Sequence, residues 1–298
     1  MSFFCATEGE QIVADFRVNG NHHVTYKNVV IPVPLLSTPL RDRGLNPAVY
    51  AGPKLKIERA RTLIADLYAI LDPYIKSEPI DIHESPQAIG GRSISMRMSA
   101  PLPPSVSAIA GDVIHNLRSS LDFLVCDLVR QNGKQPTRNN SYPTGQQAFA
   151  NQTAGISPDA VKFLRRLRTA PRWNQAIWTM HQLDLLDKHN TVLAVTGATV
   201  SIYAQVGLPF ISWGPTPEQA IPFPGVVGTP SGIRNVFLGE EMVEVYRTSP
   251  YVSEEIRIKV VPVFAPDLPA EGEPLMDVLQ MFGGVVERIV TLAERRLS

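Results

Sequence analysis

The sequence predicts an α+β protein: a bundle of about four long helices with a mostly antiparallel sheet packed on one side. Three observations lead there. Four stretches repeat apolar residues at i, i+3, i+4 and i+7, which lines one face of a helix with a stripe that another element must cover. Short alternating runs rich in β-branched residues gather between Thr191 and Phe264. These runs do not alternate one by one with helices, so a parallel βαβ sheet is not expected. A last helix returning to the bundle makes 1–298 a single expected domain. Its parts are an irregular segment with a strand at 1–50, a mainly helical part at 54–190, a mainly strand part at 191–265 and a C-terminal helix at 273–297.

Residues 1–50 are proline-rich, with one strand expected around Val24–Ile31. Beyond Gly52-Pro53, the residues Ala60, Leu63, Ile64, Leu67, Ile70, Leu71 and Tyr74 mark the first helix. Pro53 suits its first turn, where an amide hydrogen has no partner anyway. Pro73 lacks the amide that a helix interior needs, so a kink or an end is expected near Asp72. Ile80/Ile82 and Ile94/Met96/Met98 then alternate on either side of Ser85-Pro86 and Gly90-Gly91, the pattern of a hairpin or of two adjacent strands.

The second helix carries the stripe Ile109, Val113, Leu117, Leu121, Leu124 and Leu128, with its stop at Gly133 and Pro136. A loop through Pro143 and Gly155 leads to a short helix with Ser157 as cap and Pro158 at its first position. Another helix runs from about Trp173 to Asn190. Strands follow at Val192–Val206, Met242–Tyr246 and Ile256–Phe264, with an irregular connection from Gly207 to Gly232. The closing helix shows Leu275, Val278, Leu279, Phe282, Val285, Val286, Ile289 and Leu292. Gly283-Gly284 inside it costs about 1 kcal/mol per glycine relative to alanine, which points to a neighbouring helix approaching closely at both.

Bulk properties narrow the function classes. With 28 basic and 28 acidic residues the formal charge is zero, so there is no strong electrostatic case for nucleic acid or an anionic membrane. Arg165-Arg166-Leu167-Arg168 reads as a solvated helix face. The segment from Lys188 to Glu218 has no charge between its ends, but it alternates like a strand and holds Gly197, Gly207 and Pro209, so it reads as buried sheet rather than a membrane span. Two cysteines, Cys5 and Cys126, make no disulfide framework, and the N-terminus lacks the basic and apolar regions of a signal peptide; a cytoplasmic location is expected. Cys126 among Leu124, Val125 and Leu128 reads as a buried, inert thiol, and Trp173, Trp178 and Trp213 as core anchors. No nucleotide-binding glycine loop, zinc-protease motif or serine-hydrolase elbow is present. The partner is not specified, and a homo-oligomer is compatible with the sequence.

Two helices carry the chemistry. In Gly111-Asp112-Val113-Ile114-His115-Asn116-Leu117-Arg118-Ser119-Ser120-Leu121-Asp122, the residues Asp112, His115, Asn116, Ser119 and Asp122 fall opposite the leucine stripe, with Arg118 at its flank. In His181-Gln182-Leu183-Asp184-Leu185-Leu186-Asp187-Lys188-His189-Asn190, the residues His181, Asp184 and Lys188 share a face. If the two faces meet, acids, bases and imidazoles share one seam. The site would then be His115, Arg118, Asp122, His181, Asp184 and Lys188, with a histidine moving protons and Arg118 stabilising negative charge. If they turn outward, the same residues are intrahelical pairs such as Asp184 with Lys188, each worth about 0.2–0.5 kcal/mol.

At these residues the chain resembles a widespread bacterial family of unassigned activity, in which a G-D-x-x-H-N-L-R-S-x-L-D helix precedes a helix ending in D-K-H; the likeness runs from about Leu55 to the C-terminus. The arginine-bearing motif also resembles that of the HEPN superfamily, helical proteins that include RNA-cleaving toxins with an R-x(4–6)-H motif. Arg118 matches, whereas Phe123, Leu124 and Val125 stand where the histidine is expected, so the resemblance implies nuclease chemistry only if His115 or another helix supplies the imidazole. Two alternatives remain open. No cofactor is required, but Asp112, His115, His181 and Asp184 place a carboxylate and an imidazole one turn apart on each helix, as divalent-metal bundles do. The seam could also serve only to set helix register in a binding or scaffolding protein.

Overall fold

Helices and antiparallel strands share the chain, an α+β composition. The computed structural model describes residues 12–19, 23–30, 50–87, 92–144, 148–169, 171–187, 193–205, 232–247 and 253–297. In chain order the elements are β1 (Ile12–Asn19), β2 (His23–Val30), α1 (Ala51–Lys76), β3 (Ile80–Pro86), β4 (Arg92–Met98), α2 (Pro104–Gln131), α3 (Phe149–Gln152), α4 (Pro158–Thr169), α5 (Pro171–Asp187), β5 (Ala194–Gln205), β6 (Gly232–Phe237), β7 (Val243–Arg247), β8 (Ser253–Phe264) and α6 (Leu275–Leu297). Among the described residues no helix is long and apolar enough to cross a membrane.

Where the sequence pattern drew one domain, contacts group the chain into two compact units. One holds β1 to β7, β8 as far as Pro262, and the end of α1 from Asp72; the other holds α1 as far as Leu71, and α2 to α6. The division follows bonding type: strands satisfy their backbone groups on one another, and helices bury their stripes on other helices.

In the strand unit one sheet has the order β2-β1-β8-β5-β6 and a second the order β3-β4-β7. The hairpin expected from Ile80/Ile82 and Ile94/Met96/Met98 is present, antiparallel with Ile80 opposite Met98 and Pro86 opposite Arg92. Ile94, Met96 and Met98 are buried, and β7 pairs on the other edge of β4 with a register shift between Ile94 and Ser95. β2 matches the strand expected at Val24–Ile31. β1, its antiparallel partner, was missed, although Ile12, Ala14, Phe16 and Val18 keep a two-residue period around Asp15 and Arg17. Residues 206–218 of the stretch read as buried sheet lie outside the described residues.

In the helical unit α2 is central, touching α5 and α6, while α5 also touches α6 and α4 touches both. Its Leu117, Leu121 and Leu124 are buried with Leu67 of α1, Leu183 of α5, and Leu279, Phe282, Val286 and Ile289 of α6. α1 and α6 run antiparallel, joined by Lys54 to Glu294 at 2.9 Å, Arg61 to Glu287 at 2.8 Å, and Gln280 Nε2 donating to Tyr68 Oη at 2.7 Å.

Two local expectations are corrected. α1 does not end near Asp72 but continues through Pro73 to Lys76. The proline removes one amide, yet Leu71 and Ile75 are buried, Ser77 N donates to Pro73 O at 3.0 Å, and Tyr74 Oη donates to Ala100 O at 3.0 Å, so the next turn is held. In α6, Gly283 is buried beside Ile57, Ala60, Ile64 and Leu117, as close approach requires, whereas a side chain at Gly284 would meet open space. The loop read through Pro143 and Gly155 also contains the single turn α3. The cap at Ser157 is as expected, its Oγ accepting from Ala160 N at 3.3 Å.

Candidate functional site

The polar faces of α2 and α5 meet. The helices run antiparallel, with His115 opposite Asp184 and Arg118 opposite His181. Buried residues spaced along α2 set this approach: Ala110, Val113, Ile114, Leu117, Leu121 and Leu124 keep it in the core, so the flanking polar positions lie along the seam. Close to the end of α5 the contact is tight, because a Cβ at Gly111 would overlap the Asp187 carboxylate.

His115 Nδ1 lies 2.9 Å from Asp184 Oδ1. The side chain of Asp184 is 6% exposed and that of His115 49% exposed, so a buried carboxylate holds an imidazole that reaches solvent. An ionised carboxylate only accepts, which selects the tautomer with hydrogen on Nδ1 and leaves Nε2 as the free base. Ser119 Oγ stands 3.4 Å from that Nε2, one turn along α2.

Arg118 lies deeper than its flank position implied, at 7% exposure of its side chain. Its Nη1 donates to Asp122 Oδ1 at 2.5 Å, its Nη2 to Tyr142 O at 3.1 Å, and its Nε toward His181 Nδ1 at 3.4 Å. Tyr142 N in turn donates to Asp122 Oδ1 at 2.7 Å. Arginine and aspartate thus clamp both backbone groups of Tyr142 onto α2. With three donors committed inside the fold, Arg118 acts here as a positioning group rather than an open anion binder.

No family model, curated protein or solved structure matches the chain. The geometry alone therefore carries the reading.

Five of the six expected site residues are brought together: His115, Arg118 and Asp122 from α2 with His181 and Asp184 from α5. Lys188, the sixth, lies outside the described residues. The metal alternative, Asp112 with His115, His181 and Asp184, does not assemble, since among the described residues no three His, Cys, Asp or Glu side chains form a group able to hold an ion. Asp112 faces solvent one turn before His115, its carbonyl accepting from Asn116 Nδ2 at 2.8 Å. Phe123, at the position where the motif comparison expects histidine, is 43% exposed, with Lys56 Nζ 5.8 Å from its ring centre.

Sequence reasoning missed Tyr142, because nothing in the local pattern shows that a loop residue will be clamped by a helix. It also placed Trp178 in the core, whereas that side chain is 44% exposed; Trp173's side chain and Trp213 lie outside the described set. Cys126 is half-buried, and burial pushes its thiol up from the ordinary value, in keeping with an unreactive group.

Proposed function

We propose that the protein is a HEPN-like hydrolase in which the α2–α5 seam performs acid–base chemistry, with RNA phosphodiester cleavage as the reaction to test first. The observation that carries the reading is the solvent-reaching imidazole of His115 fixed by the buried carboxylate of Asp184. In this reading α1, α2, α5 and α6 act as a four-helix bundle that holds the seam rigid, and the place of action is the cytoplasm.

His115 Nε2 accepts the proton of the attacking hydroxyl, from water or from a ribose 2′-oxygen, and returns a proton to the leaving oxygen. Asp184 keeps the ring in the productive orientation and tautomer. Arg118 and Asp122 position the wall formed by Tyr142. The test is incubation of the purified chain with single-stranded RNA. His115→Ala is expected to lower cleavage by about 100-fold or more, the usual size of a general acid–base contribution. Equal rates for the two proteins would reject the reading.

A second reading has its own support. The burial of Arg118, with its donors spent on Asp122 and Tyr142, suits a polar seam that sets helix register in a binding or scaffolding protein. In that case no cleavage is found, and Arg118→Ala lowers stability alone.

A further inference from the structure

Helix α4 carries Arg165, Arg166 and Arg168 against one acid, Asp159, whose carboxylate already lies 3.3 Å from Lys162. The face is solvent-exposed at Arg165 and Arg166, as expected, yet two of its arginines converge: the guanidinium carbon of Arg165 lies 5.5 Å, and that of Arg168 5.1 Å, from the centre of the same Phe149 ring. Phe149 is buried at the start of α3, and its carbonyl accepts from Thr153 Oγ1 at 2.7 Å, so the ring is a fixed platform. Among the described residues neither arginine has a carboxylate partner. Two like charges gathered on one ring, with no carboxylate paired to them among the described residues, are complementary to an anion.

A second observation points the same way. The hydroxyl of Tyr142 is buried and has no hydrogen-bond partner among the described residues. It lies within the field of two guanidinium groups, that of Arg118 first and that of Arg168 second. A donor left without an acceptor next to an unneutralised cation is the environment an anionic oxygen would complete.

We propose that Arg165 and Arg168, held over Phe149, bind a phosphate-type anion. The aromatic face fixes the guanidinium planes in advance, so their forked donors meet phosphate oxygens with little ordering left to do. The anion is a free phosphate or a backbone phosphate of a nucleic acid. The site stands whether or not the α2–α5 seam is catalytic.

The test uses the full chain at constant ionic strength, titrating inorganic phosphate against chloride and following the melting temperature. Wild type is expected to show a saturable rise with phosphate that chloride does not produce. The paired Arg165→Gln/Arg168→Gln variant is expected to bind at least tenfold more weakly, while Arg166→Gln keeps the wild-type response. Arg165→Lys/Arg168→Lys, which retains both charges without the planar fork, should bind several-fold more weakly. Displacement of phosphate by a short single-stranded RNA assigns the site to backbone phosphate; no displacement assigns it to free phosphate. Absence of a phosphate-specific rise in wild type, or equal binding by the wild-type and paired variants, overturns the proposal.

Discussion

His115 and Asp184 are joined across two antiparallel helices, Nδ1 to Oδ1 at 2.9 Å, with the imidazole half in solvent and the carboxylate buried. The asymmetry matters chemically. A carboxylate shielded from water orients its partner strongly, and an imidazole open on its other nitrogen can exchange protons with something outside. Asp184→Asn should therefore keep the packing but remove the carboxylate that orients His115, lowering RNA cleavage by about 100-fold or more. Parallel rate and circular dichroism measurements check it: a folded variant with undiminished cleavage would contradict the assignment.

Gly111 and Asp187 make the opposite kind of contact, one of space. Alanine in a helix interior is worth about 1 kcal/mol more than glycine, so Gly111→Ala would stabilise α2 if nothing stood nearby. The Asp187 carboxylate stands there and must swing aside, giving up its present interactions, which offsets the helix gain. Urea unfolding should show Gly111→Ala less stable than wild type, with part of the loss recovered in Gly111→Ala/Asp187→Ala. A stabilised single variant would mean that the helices are not this close.

Arg118 should prove structural before anything else. Arg118→Ala leaves the Asp122 carboxylate and the Tyr142 carbonyl without their charged donor, an expected loss of about 2–3 kcal/mol. Because the Tyr142 amide donates to Asp122, its hydrogen exchange should quicken in this variant. Unchanged protection at that amide would show that the clamp does not operate.

Alkaline pH should weaken the fold by a route separate from the seam. Burial, then the nearby Asp277 charge, push the Tyr68 phenol up to about 12, against a smaller lowering effect of its hydrogen bond with Gln280. Below pH 10 the phenol is neutral in both folded and unfolded chains and contributes no pH dependence. Between pH 10 and about 12 the unfolded chain ionises first, so stability falls as pH rises. Cys126, raised by burial, acts in the same direction from the ordinary thiol range upward. Urea midpoints measured from pH 8 to 11 should decline less steeply above pH 10 for Tyr68→Phe than for wild type; identical slopes would refute this.

Elements with strong periodicity were legible from residues alone. The α2 stripe, the β3–β4 hairpin and the α6 repeat all carry spacing that only one backbone period satisfies. An end at Pro73, one of the two outcomes expected there, did not follow because a missing amide is a local fact, while the burial of Leu71 and Ile75 that carries the helix past it is a tertiary one. The division into two units was hidden for the same reason, since the chain passes repeatedly between strand-bonded and helix-packed regions. Spacing showed which residues share one face of α2 or of α5; that His115 meets Asp184 depends on how the two helices cross. Gly111 looked like a motif residue, and its reason, the Asp187 carboxylate, lies on another helix. That Arg165 and Arg168 converge was not legible, because Phe149, the ring that gathers them, sits in a single turn with no pattern of its own.

The central claim is that the ionisable faces of α2 and α5 are coupled through His115 and Asp184, and a double-mutant cycle measures that coupling directly. Unfolding free energies of wild type, His115→Ala, Asp184→Ala and the double variant should give an interaction energy of about 1 kcal/mol or more. Single-variant losses that add to within about 0.3 kcal/mol would show that the two side chains do not pair, and would contradict the account.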